Sequence, residues 1–148
     1  MEPLDDVIAT LRRDASCNVE MCGSKVTCDP PPEGTDTDYR VEVPDNDKTV
    51  NLVVNLLHTA GFEWESNEHY QLAARDGFMS WRRDDVNFIV IANPELNRRH
   101  RLATELCRKL NLMKKADRIM VFQAILYDNV DYSIVEVDLP NVADPVDL

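Results

Sequence analysis

The chain has 148 residues, of which 44% are hydrophobic and 29% charged, and its formal net charge is -11. That supplies one ordinary core and hardly two, so a single domain is expected, and the acidity excludes a protein whose whole surface grips a nucleic-acid backbone or an anionic membrane. No run approaches the roughly 20 apolar residues of a membrane span or the apolar centre of a signal peptide, so a cytoplasmic protein without membrane contact is expected.

Pro3 to Arg13 places Leu4, Val7, Ile8 and Leu11 on one stripe, with Asp5 and Asp6 early and Arg12 and Arg13 late, which predicts a first amphipathic helix. Asn18 to Cys22 reads as a short strand running into a turn at Gly23-Ser24. Lys25 to Thr35 contains Pro30, Pro31, Pro32 and Gly34, so a loop without regular structure is expected there. Asp38 to Val43 alternates, with Tyr39, Val41 and Val43 on one face and Asp38, Arg40 and Glu42 on the other, as in a half-buried strand.

After Pro44 and the acidic stretch Asp45 to Asp47, Val50, Val53, Val54 and Leu57 recur at helical spacing up to Gly61. Phe62 to Glu65, Phe78 to Arg82 and Val86 to Ala92 read as strands, the last the most apolar and so the most central. Beyond Pro94, Leu102, Ala103, Leu106 and Leu110 predict the inner face of a helix, and Ile119, Phe122 and Leu126 that of a last helix from Asp117 to Tyr127. From Asp128 onward acids meet no Lys or Arg, which predicts at most a short strand within Ile134 to Leu139 and an acidic tail over 131–148. The order of elements predicts an α+β fold, with a small mixed or antiparallel sheet flanked by helices over 1–130.

The chemistry-bearing stretch is Gly23-Ser24 at a strand end, followed by Asp36-Thr37-Asp38 as the next strand begins. Period-two geometry points both carboxylates to one face, where they repel unless a divalent cation lies between them, and Mg²⁺ favours such oxygen ligands together with substrate phosphates. A Gly followed by Ser lets backbone approach a phosphate and offers a hydroxyl to it. These residues resemble the signature of the nucleotidyltransferase superfamily typified by DNA polymerase beta: Gly-Ser, a spacer, and Asp-x-Asp on the next strand. The stretch Arg82-Arg83-Asp84-Asp85-Val86-Asn87-Phe88 also resembles small phage-encoded members, for which the host cytoplasm would be the compartment.

The resemblance, covering Val19 to Tyr127, implies a nucleotidyltransferase-like domain that moves a nucleoside monophosphate from a nucleoside triphosphate to an acceptor. It assigns Gly23 and Ser24 to the triphosphate, and Asp36 and Asp38 to Mg²⁺ or Mn²⁺. Asp85 is the third acid, as metal ligand or general base, with Asp84 the competing choice. Lys25, Arg82 and Arg83 are candidate countercharges for the triphosphate, and Asn87 shares the face of Asp85. The acceptor is left open among an RNA end, a protein side chain and a small molecule. The chain departs from the family by placing a proline-bearing loop where a helix usually follows Gly-Ser.

Plainer readings stand beside these. Arg98, Arg101 and Arg108 form a solvated stripe opposite an apolar face, although half of the 16 basic residues cluster between Asn93 and Arg118. Trp64, Trp81 and Phe122 read as core or strand-packing residues, His58, His69 and His100 as structural or exposed, and Cys17, Cys22, Cys28 and Cys107 as reduced thiols. Two further functions compete with the enzyme. One is a catalytically silent interaction or inhibitor module of the same fold, working through its acidic surface. The other is an acidic mimic of nucleic acid, for which Asp36 and Asp38 would be dispensable.

Overall fold

The computed structural model describes residues 2–74 and 76–127. Its elements are α1 (Leu4–Asp14), β1 (Asn18–Cys22), α2 (Ser24–Thr27), β2 (Thr37–Glu42), α3 (Asp47–Thr59), β3 (Glu63–Glu65), a 3-10 turn (Glu68–Tyr70) leading into α4 (Gln71–Ala74), β4 (Phe78–Arg83), β5 (Val86–Ile91), α5 (Pro94–Leu110) and α6 (Lys115–Tyr127). The strands form one mixed sheet in the order β1-β2-β5-β4-β3. Only β2 and β5 run parallel within it; the other neighbours are antiparallel. The class is therefore α+β, a five-stranded sheet flanked by helices. The acidic tail and the strand expected within 134–139 lie outside the described residues.

Local chemistry sets the helix ends. Asn46 caps α3 by accepting from Thr49 N–H at 2.8 Å, and Asn93 caps α5 by accepting from Glu95 and Leu96 N–H, with Pro94 in the first turn where its missing donor costs nothing. α5 ends on Asn111, which takes the left-handed conformation that asparagine tolerates. α1 carries its acids first and its bases last, as its dipole favours.

One face of the sheet receives α1 and α3. Val7, Ile8, Leu11, Val53 and Leu57 pack there on Val41, Phe88 and Val90, each of these core side chains contributing roughly 1.5–3 kcal/mol by leaving water. The opposite face receives the C-terminal helices, with Phe78, Ile91, Leu96 and Leu126 at its centre. β5 is thus covered on both sides, which is why its sequence is almost uninterruptedly apolar.

Several details differ from the sequence reading. Ser24–Thr27 forms one helical turn ahead of the prolines, and the 68–74 segment, for which no element was expected, is helical. α5 buries Leu96, Asn97, His100, Ala103, Thr104 and Cys107, leaving Leu102, Leu106 and Leu110 exposed. The reading followed the leucines, whereas the helix turns inward a stripe that includes three polar side chains, two of them with backbone partners: Asn97 Nδ2 donates to Ile91 O and Thr104 Oγ1 to His100 O. Trp64 is exposed on the short edge strand β3, while Trp81 opposite it is buried.

Arg40, expected on a half-solvated face, is buried beneath α5. It survives there because its charge is met: it donates to Glu20, to Glu42 Oε2 at 3.3 Å and to His100 Nδ1 at 3.3 Å. Burial, with the Arg40 charge beside it, pushes the His100 imidazole down to about 3, so His100 is neutral and accepts through Nδ1. All four cysteines are buried and unpaired.

Because the unfolded imidazole titrates near 6.5 and the folded one far lower, the unfolded chain binds more protons in acid. The contribution of His100 is therefore complete above about pH 6.5 and is lost as pH falls toward the folded value. Urea titrations across that window should show wild type losing stability relative to His100→Gln, which keeps an acceptor for Arg40 but does not titrate. Parallel pH profiles would contradict the buried neutral state.

Candidate functional site

β1 delivers the chain to Gly23, where φ is 73°, and α2 begins at once. Glycine is required twice over: that φ strains any other residue, and a Cβ here would stand 2.8 Å from Asp38 Cγ and closer still to its carboxylate oxygen. Ser24, nearly buried at the first turn of α2, shares a short hydrogen bond with the Thr35 hydroxyl. That contact ties the far end of the proline loop to the Gly-Ser turn and brings Asp36 to the start of β2. Lys25 instead reaches Thr37 Oγ1 at 2.6 Å.

Parallel pairing of β2 with β5 sets Asp38 opposite Asn87. The Asn87 side chain hydrogen-bonds the Asp38 carboxyl, while its Oδ1 is buried with no partner among the described residues. Burial pushes the Asp38 carboxyl up to about 6; Asp36 adds repulsion, and Asn87, Arg82 and Lys115 pull the other way. Arg82 lies between two acids, donating to Asp36 Oδ2 at 3.0 Å and to Glu65 Oε2 at 2.8 Å.

These groups line a cleft of about 290 Å³ between the sheet and the C-terminal helices. Gly23, Ser24, Asp36, Asp38, Asn87 and Arg82 form its sheet side. Lys115 and Arg118 of α6 line it as well. Arg118 also donates to Leu112 O at 2.9 Å and Met113 O at 2.8 Å, which holds the start of α6 against the end of α5. Tyr70, Phe78 and Phe122 supply aromatic wall, and neutral His100 sits 5.0 Å from Phe122 between ring centroids. Acids on the sheet side and cations on α6 thus line one cleft, which brings charges of both signs together.

The donor set fits a divalent cation. Two carboxylates and an amide oxygen are the hard oxygen ligands Mg²⁺ takes, and a cation would satisfy the unpartnered Asn87 Oδ1 and offset the burial, and secondarily the Asp36 repulsion, that raise Asp38.

The sequence-predicted site residues divide as follows. Gly23, Ser24, Asp36, Asp38 and Arg82 converge on the cleft. Lys25 and Asp85 are exposed and not among its lining residues; Asp85 lies in the β4–β5 turn, where its carbonyl accepts from Thr37 N–H at 2.9 Å. Asp84 in the same turn lines a different cavity. Arg83 points away as scaffold, donating to Glu2 O and Ala60 O, its guanidinium 4.7 Å from the Phe62 ring centroid. Among the described residues no three His, Cys, Asp or Glu side chains are placed to hold one metal, and on β5 it is Asn87, not an acid, that stands across from Asp38. Lys115 and Arg118 were read only as part of a basic cluster, although their spacing of three at a helix start marks one face. Asn67 and Tyr70 carried no signal at all.

No family model matches the chain, and no curated protein gives a significant match. A solved structure of a cytoplasmic RNA terminal U-transferase is similar to it, with a TM-score of 0.48 and 17% sequence identity over 80% of this chain and 34% of that one. The chain spans about a third of that protein's length. No helix among the described residues is long and apolar enough to cross a membrane.

Two outcomes follow from the site alone. Gly23→Ala should displace the Asp38 carboxylate from its buried position, so that it titrates nearer the ordinary carboxylate range in an NMR pH titration, while the circular dichroism spectrum stays that of wild type. Asp38 has a folded pKa above its unfolded value, so its contribution to stability is greatest below about pH 4 and is lost as pH rises through about 6. Without divalent cations, Asp38→Asn should therefore be more stable than wild type at pH 7 by on the order of 2 kcal/mol, and denaturant titrations should find the gap closing toward pH 4.

Proposed function

We propose that the chain is a divalent-cation-dependent nucleotidyltransferase, moving a nucleoside monophosphate from a nucleoside triphosphate to an acceptor. The observation that carries this reading is the placing of Asp36 and Asp38, beside the Gly23-Ser24 turn, in the same cleft as Lys115 and Arg118.

In this reading Asp36, Asp38 and the Asn87 amide oxygen hold the cation. A divalent cation held there would supply charge neutralisation to phosphate oxygens and to the departing pyrophosphate. Ser24 and the amides of α2 meet the phosphates at the glycine turn, and Lys115 and Arg118 balance their charge from α6. Arg82 leaves Asp36 for a phosphate oxygen. Tyr70, Phe78 and Phe122 exclude water and offer ring faces to the nucleobase. The acceptor oxygen bonds to the α-phosphorus as the bond to the bridging oxygen of pyrophosphate breaks. Asp85, exposed in the β4–β5 turn and not among the cleft's lining residues, takes no part at the cation in this reading, and solvent receives the acceptor's proton.

Calorimetric titration of ATP, GTP, CTP and UTP with Mg²⁺, followed by pyrophosphate assay, tests this. Wild type should bind at least one triphosphate and the Asp36→Asn, Asp38→Asn double variant none. Asp85→Asn, which lies outside the cleft lining, should keep both the binding and the turnover of wild type. Binding that survives in the double variant would remove the reading. Absence of binding in both proteins would favour a silent interaction module working through its acidic surface.

A further inference from the structure

Four of the seven large hydrophobic side chains exposed among the described residues lie together: Leu102, Leu106 and Leu110 on α5, and Met113 just past its end. Single exposed leucines are ordinary, but three at successive i, i+4 positions make a continuous apolar ridge about 12 Å long, on a side of α5 turned away from the buried stripe. α6 adds to this surface. From Ile119 to Tyr127 that helix has no charged residue, although Ala124 is exposed and Met120, Val121 and Ile125 are half-buried. A helix apolar on every side is one that something covers.

Chain path and charge say what covers it. Arg99 donates to Leu126 O at 3.0 Å, so α6 ends beside the first turns of α5, and Leu102 follows Arg99 by one turn on the same row. The 21 residues that follow Tyr127 in the sequence therefore start at the head of the ridge, and about four of them, extended, match its length. Arg98 and Arg99 precede Leu102 and share one acid, Glu95, which leaves a positive charge in surplus, and exposed Lys109 stands one turn after Leu106. The charge of the whole chain divides the same way. Residues 93–118 hold eight Lys and Arg against three acids, whereas 128–148 hold six acids and no Lys or Arg. Within that acidic stretch Ile134, Val135, Val137 and Leu139 flank Glu136 and Asp138, which suits a row of leucines bordered by cations.

We infer that the ridge of α5, with the outer side of α6, is a docking surface for an acidic, apolar-rich segment, and that the chain's own residues 128–148 occupy it. The apolar residues of that segment cover Leu102, Leu106 and Leu110, and its acids meet Arg98, Arg99 and Lys109. Attachment at Tyr127 gives the segment a local concentration on the order of millimolar, so a weak contact suffices. The contact braces α6 against α5 from outside, and Lys115 and Arg118, which line the cleft, stand at the other end of α6.

Paramagnetic relaxation in the full chain tests this. The four native cysteines are buried, so a nitroxide can be placed selectively at Ser133→Cys and read at the leucine methyls. The methyls of Leu102, Leu106 and Leu110 should lose most of their intensity, while those of Leu52 on α3, across the sheet, should keep theirs. Leu102→Ser with Leu106→Ser should restore the Leu110 signal. Arg98→Glu with Lys109→Glu should do the same, because like charges then meet, and added salt should restore it in part. Equal loss at Leu52 and Leu110, a loss at Leu110 that both double variants leave unchanged, or no loss at any methyl would overturn the inference. Spin-labelled chains mixed with unlabelled, isotope-enriched ones should leave Leu110 intact; a loss there would put the segment on a second copy and overturn the intramolecular occupant. None of these measurements involves the cleft, so their outcome is separate from that of the proposed transfer.

Discussion

The parallel pairing of β2 with β5 is the constraint on which the rest of the molecule depends. Parallel neighbours cannot be joined by a tight turn, so the chain between them must cross over, and α3, β3, α4 and β4 are built in that crossover. The same register sets Asp38 against Asn87 and lays the backbone of Asp85 beside Thr37. Shifting it by one residue would turn Asp38 toward the α1–α3 core and Val41 toward the cleft. The hydrophobic packing of Val41, Phe88 and Val90 therefore also positions the acids, and site and core are specified by one alternation.

Much of this was legible in the sequence because strong periodic signals and local chemistry agreed. The alternation of Asp38 to Val43, the apolar run of β5 and the stripe of α1 each point to a single answer. The Gly-Ser turn was legible as a motif, but its physical reason was not: Gly23 is needed because Asp38 comes so close, a contact between residues fifteen apart.

What was hidden has a common cause. α5 offers two faces of comparable apolarity, and the sequence shows the leucines plainly, whereas His100, Asn97 and Thr104 face inward because partners from β2, β5 and the helix backbone await them. Arg40 is likewise unreadable as a core residue until Glu20 from the neighbouring strand and His100 from α5 are placed around it. Lys115 and Arg118 belong to the cleft only because the end of α5 turns back on itself at Asn111. Buried polar groups are set by tertiary partners, which no window of sequence contains.

The ion pair between Arg82 and Asp36 has a consequence of another kind. Asp36 already holds one positive charge at 3.0 Å, and Glu65 anchors that charge from its other side. A monovalent ion entering the cleft offers Asp36 no more charge than the guanidinium does, and it must give up its hydration to do so. An ion of charge two offers more, and the guanidinium it displaces remains tethered beside the cleft. In the nucleotidyltransferase proposed above, the pair would therefore act as a valence threshold: a resident guanidinium raises the minimum charge that any newcomer must carry, although that side chain need not itself touch the metal.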